Sequence, residues 1–213
     1  MVVRPGDMRG RRALEEPDAP GPEGNARLTG STGAVLFVLL AVEGVTVLSI
    51  RSLLAPHVFI GMLLIPPVAL KTGSTLYRFV RYYRGAEAYR RKGPPAMVLR
   101  LLGPFVVVLT AAVLGTGVAA LVVRGGSRHQ MLLLHKASFV LWFGAMALHV
   151  LGHLADTATL APRDWYGRAR RDVRGAGVRQ WAVVVSLVIG VLLGLLLVGR
   201  SGSWLGWATT HTG

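Results

Sequence analysis

The chain contains no cysteine. Disulfides, thiolate-held iron–sulfur clusters and haem joined covalently through a C-x-x-C-H motif are therefore excluded, and a redox cofactor would need other ligands. Charge is sparse, 16% of residues, and acidic residues are scarcest, 10 against 24 Lys and Arg, for a net charge of +14. No internal repeat and no matched pair of broken helices stands out, which weighs against an inverted-repeat transporter plan.

What is present is apolar sequence in long runs. Hydrophobic residues make up 52% of the 213 and the mean hydropathy is +0.50. A helix crosses a bilayer with about 20 mostly apolar residues, because each adds ~1.5 Å against a ~30 Å hydrocarbon core. Runs of that kind predict five spans at about 33–50, 57–79, 99–123, 130–154 and 181–198. The fold class expected is an all-α integral membrane bundle, residues 31–200, with a polar, disordered N-terminal segment over 1–30 and a short tail over 201–213. Pro66 and Pro67 predict a kink in the second span, since each removes a backbone donor.

The arginines lie between the apolar runs. One basic loop follows the second span, with Arg81, Arg84, Arg90, Arg91 and Lys92, and another follows the fourth, with Arg163, Arg168, Arg170, Arg171, Arg174 and Arg179. The positive-inside rule predicts a multi-pass plasma-membrane protein with both loops and the N-terminus in the cytoplasm and the C-terminus outside. Short basic loops tied to spans point to a lipid surface, with Trp165 and Tyr166 at the interface, rather than to nucleic acid.

Ionisable side chains inside a bilayer are costly and mark candidate functional positions. Of six histidines, His129 at a helix end and His211 in the tail read as solvated. His57 and His135 fall near the outer starts of two parallel spans, at similar depth. Two facing neutral imidazoles are what a b-type haem requires. Interhelical hydrogen bonding is the alternative for each histidine. Gly61, one turn after His57, and Gly115 and Gly117 in the third span would let a flat macrocycle approach, or would serve ordinary helix packing.

His149 follows His135 by 14 residues, a separation of ~21 Å that returns close to the same helix face. His149, or His153 one turn later, is a candidate ligand for a second, inner haem, and His153 could instead cap the helix end. Lys71 stands as far from His57 as His149 does from His135, and is expected to snorkel or to contact a haem propionate rather than ligate iron.

The run LHKASFVLWFGAMALHVLGH, Leu134 to His153, resembles the histidine-bearing fourth helix of bacterial membrane cytochromes b, the membrane subunits of formate dehydrogenases and nickel–iron hydrogenases. The resemblance covers four of the five spans and implies a four-helix haem-binding core plus one extra C-terminal helix. It implies that His57 and His135 hold the outer haem b and that His149 is the fourth-helix ligand of an inner one. The family's other inner ligand comes from the first helix, which here has no histidine.

The leading functional expectation is an electron-transfer subunit of a respiratory-type oxidoreductase, with a quinone or a redox-partner subunit as candidate partners. A bis-histidine haem is coordinatively closed, so its iron exchanges electrons rather than binding substrate. The alternatives are a cofactor-free structural or assembly protein, associating through Gly190-x-x-x-Gly194, and a small transporter with Glu43, Lys71 and the histidines along a polar path.

Overall fold

The computed structural model describes residues 21–91, 97–123, 127–160 and 175–202. Among them the chain forms the helices α1 (Pro22–Leu48), α2 (Ile50–Tyr83), α3 (Glu87–Arg91), α4 (Met97–Val122), α5 (Ser127–Leu160) and α6 (Ala176–Val198), and no strand. All but the short α3 are long and apolar enough to cross a membrane, giving five candidate spans. Phe37, Val38, Leu101, Val108, Val140, Leu148 and Leu196 lie exposed on their outer faces. That arrangement suits a helical protein whose surrounding solvent is lipid.

The helices are longer than the apolar runs. α1 begins at Pro22, with Glu23 in its first turn, so residues 22–30 are helical where disorder is expected. Proline suits a first helical position and an acid suits the positive end of the helix dipole. Tertiary bonds hold the segment: Asn25 Nδ2 donates to the Ser74 carbonyl at 3.0 Å, and the Thr29 and Ser74 hydroxyls are 2.9 Å apart. Residues 1–20, the tail from 203, and Trp165, Tyr166 and the arginines from Arg163 to Arg174 lie outside the described residues.

Ser49 alone separates α1 from α2, with non-helical φ −131° and ψ 44°. Residues 51–56, between the first two expected spans, are helical apart from Leu53 (φ −112°, ψ 22°). Pro56 follows closely and cannot donate to the Ser52 carbonyl, which loosens the ladder there. Leu53 is the only residue inside α2 with non-helical dihedrals, so Pro66 and Pro67 do not interrupt the helix.

The α1–α2 hairpin pairs residues about equally distant from its turn. Thr29 lies opposite Lys71, Asn25 opposite Ser74, and Glu43 opposite His57. α4 and α5 form a second hairpin, tied by a bond of 2.9 Å from Trp142 Nε1 to the Thr110 hydroxyl. α6 packs along α2, and α1 bridges to α5, while α2 and α5 are scarcely in contact with each other. The start of α2 and the end of α4 share one end of the bundle, where Val58 and Met62 meet Ala120 and Leu121.

Gly190 and Gly194 face α2 of the same chain. A Cβ at Gly190 would stand 2.5 Å from the Leu63 carbonyl oxygen, and one at Gly194 2.6 Å from Phe59 Cδ2. The small-residue face expected to join two copies is thus used within the chain, because only glycine permits α2 and α6 to come this close.

Candidate functional site at the turn end of the bundle

Near the hairpin turns, α2 and α5 each carry one histidine into the bundle. The ring centroids of His57 and His135 are 6.2 Å apart, and the ring planes are inclined at 69°. The equal depth inferred from span boundaries thus brings the two imidazoles together.

Each imidazole is held through Nδ1. His135 Nδ1 is 2.9 Å from the Val113 carbonyl oxygen on α4. A carbonyl only accepts, so Nδ1 carries the proton and Nε2 keeps its lone pair. The Thr116 hydroxyl lies 3.4 Å from the same nitrogen and 3.3 Å from the Ser138 hydroxyl. His57 Nδ1 is 2.9 Å from Glu43 Oε1 on α1, and the Thr46 hydroxyl is 3.1 Å from that nitrogen. Thr46 donates to the Glu43 carbonyl at 2.6 Å and approaches Oε2 at 3.2 Å. A carboxylate only accepts, so Nδ1 of His57 carries a proton, as in His135.

Gly61 lies beside the carboxylate, with Glu43 Oε1 3.6 Å from where a Cβ would stand. Gly117 lies against the His135 ring, and a Cβ there would be 3.0 Å from Cε1. Gly115 has nothing within 4 Å of its Cβ position.

Toward the other end, His149 and His153 on α5 are in tilted ring contact, with centroids 4.7 Å apart. His149 Nδ1 is buried with no hydrogen-bond partner among the described residues. Lys71 does not extend free to the surface: its ammonium donates to the Thr29 carbonyl at 3.1 Å. His153 does not cap the helix, because α5 continues to Leu160; the first proline after it is Pro162. His129 is exposed in the first turn of α5, and His211 lies outside the described residues.

Glu43 is the member that reasoning on the histidines alone leaves out of the site. Its signal was available, because it is the one acidic residue deep in an apolar run and stands about as far before the turn as His57 stands after it. Among the described residues, no group of three or more His, Cys, Asp or Glu side chains is arranged to hold a bare metal ion. No family profile, curated protein or solved structure matches this chain.

Proposed function

We propose that this chain is a membrane b-type haem protein that transfers electrons, with His57 and His135 as the axial ligands of one haem. The observation that carries the reading is the pair of imidazoles 6.2 Å apart. Metal–imidazole bonds are about 2 Å long, so two imidazoles on opposite sides of one metal have ring centres roughly 6 Å apart. A direct hydrogen bond between the rings would bring them closer, to roughly 5 Å.

Three further features suit the group. The donor set is two histidines without thiolate, as in b-type centres. Both Nδ1 atoms are held by acceptors on a neighbouring helix, which would orient the rings and leave Nε2 as the ligating nitrogen. α2 and α5 are scarcely packed on each other, so the macrocycle would lie in the seam between them. The haem would supply a one-electron couple, and the protein would hold it six-coordinate and closed to substrate.

In this reading the chain is a subunit of a respiratory-type oxidoreductase, exchanging electrons with a quinone or a redox-partner subunit. The charge of the arginine-rich loops supports a cytoplasmic side for them, which would put this haem in the outer half of the plasma membrane. His149, with its unpartnered Nδ1, marks where a second group would bind, with Lys71 and His153 as neighbours.

The test is substitution with a pigment assay. His57→Ala and His135→Ala should each abolish the low-spin b-type spectrum of this haem, and His129→Ala should leave it intact. If the alanine variants fold and keep the wild-type spectrum, the ligand assignment is wrong. In that case the cofactor-free alternative accounts for the buried bonds of Glu43, Thr46 and Thr116 as interhelical ties.

A further inference from the structure

The two imidazoles are held by unlike partners. His135 Nδ1 meets a neutral backbone carbonyl, Val113, at 2.9 Å. His57 Nδ1 meets the ionisable carboxylate of Glu43, also at 2.9 Å. An acidic residue more than one turn inside a candidate span is costly and needs a specific return. Glu43 Oε1 is held by His57 at 2.9 Å, the Thr46 hydroxyl, whose proton goes to the Glu43 carbonyl, lies 3.2 Å from Oε2, and the side chain is 14% exposed. The carboxylate is therefore aimed at one ring edge and is not free to turn to solvent.

We propose that Glu43 is a positioning residue for His57, which fixes its tautomer and lowers the reduction potential of the metal centre that His57 ligates. The inference rests on the haem reading above. A carboxylate on Nδ1 raises the basicity of the imidazole and so strengthens its donation to iron. Its negative charge, in a low-dielectric interior, favours the oxidised iron, which carries one more positive charge than the reduced iron. The Val113 carbonyl on the opposite ligand supplies orientation without that charge. The two helices thus divide the work: α4 orients His135, and α1 both orients His57 and sets the poise of the couple.

The test is a redox titration of the purified full chain, wild type against Glu43→Gln, with haem content measured on the same samples. The glutamine carbonyl can accept the same Nδ1–H, so haem content should stay near wild type while the midpoint potential moves to a more positive value. A purely structural role would lower haem content or yield and leave the potential of the bound fraction where it was; that result overturns the inference. Should Glu43→Gln fail to accumulate, Glu43→Asp keeps the charge but withdraws it by one methylene, and its midpoint must move upward by a smaller amount. An unmoved midpoint in the aspartate variant then overturns the inference equally. A wild-type chain that binds no haem removes the haem reading and this inference together. Haem in the wild type with an unmoved potential in the variant removes only the role of Glu43.

Discussion

Gly117 lies flat against the imidazole of His135, so close that a methyl group at 117 would stand 3.0 Å from Cε1 and 3.2 Å from Nδ1. The ring is wedged between that glycine on α4 and the Val113 carbonyl one turn earlier on the same helix. Gly117→Ala must push the ring by a few tenths of an ångström, and the bond to Val113 shifts with it. Overpacking of this kind costs roughly 1–3 kcal/mol. Gly117→Ala should accordingly lower the thermal midpoint in detergent. Gly115→Ala should leave it unchanged or raise it, because nothing lies within 4 Å of that position and alanine favours a helix over glycine by about 1 kcal/mol. Equal effects of the two substitutions would contradict the wedge.

The contact of α6 with α2 makes a second prediction. A Cβ at Gly190 collides with backbone, the Leu63 carbonyl oxygen at 2.5 Å, whereas at Gly194 the nearest atom is the Phe59 ring, at 2.6 Å. A ring can rotate and a carbonyl in a helix cannot, so Gly190→Ala should destabilise more than Gly194→Ala. Both should lie within roughly 1–3 kcal/mol by the same overpacking cost. Light scattering on the detergent-solubilised variants should show the wild-type oligomeric state, since this face is used inside the chain. A change of oligomeric state without loss of stability would return Gly190 and Gly194 to an intermolecular role.

Orientation in the membrane gives a third prediction. Two spans, α4 and α5, separate the end of α2 from the start of α6, so both arginine-rich loops must lie on one side. Reporter fusions after Arg91 and after Arg171 should both read cytoplasmic, as the positive-inside rule requires. A periplasmic signal from both would invert the molecule and put the His57–His135 pair in the inner half. Disagreement between the two would break the five-span topology.

The five-span bundle was legible in the sequence because hydropathy reports burial in lipid residue by residue, and most arginines lie outside the runs. The facing of His57 and His135 was legible too, because helical rise converts sequence position into depth. Helix ends were not. Pro22 to Gly30 read as part of a polar, disordered N-terminal segment, yet Asn25 and Thr29 are held by Ser74 and Thr29 by Lys71, partners more than 40 residues away that no local pattern reveals. The neighbour of Gly61 was hidden for a related reason. One-turn spacing from His57 shows that it shares a helix face, but not that the carboxylate of Glu43 comes to that face from α1. Lateral packing order depends on which helix neighbours which, and hydropathy carries no record of it.

The visible spectrum of the purified full chain, expressed with ample haem and recorded oxidised and dithionite-reduced, tests the central claim most directly. A bis-histidine centre at His57 and His135 predicts a Soret band and, on reduction, a sharp low-spin b-type α band that added carbon monoxide does not alter, because both axial positions are filled. A chain that purifies intact with no Soret band would contradict the account, as would a high-spin pigment that takes up carbon monoxide.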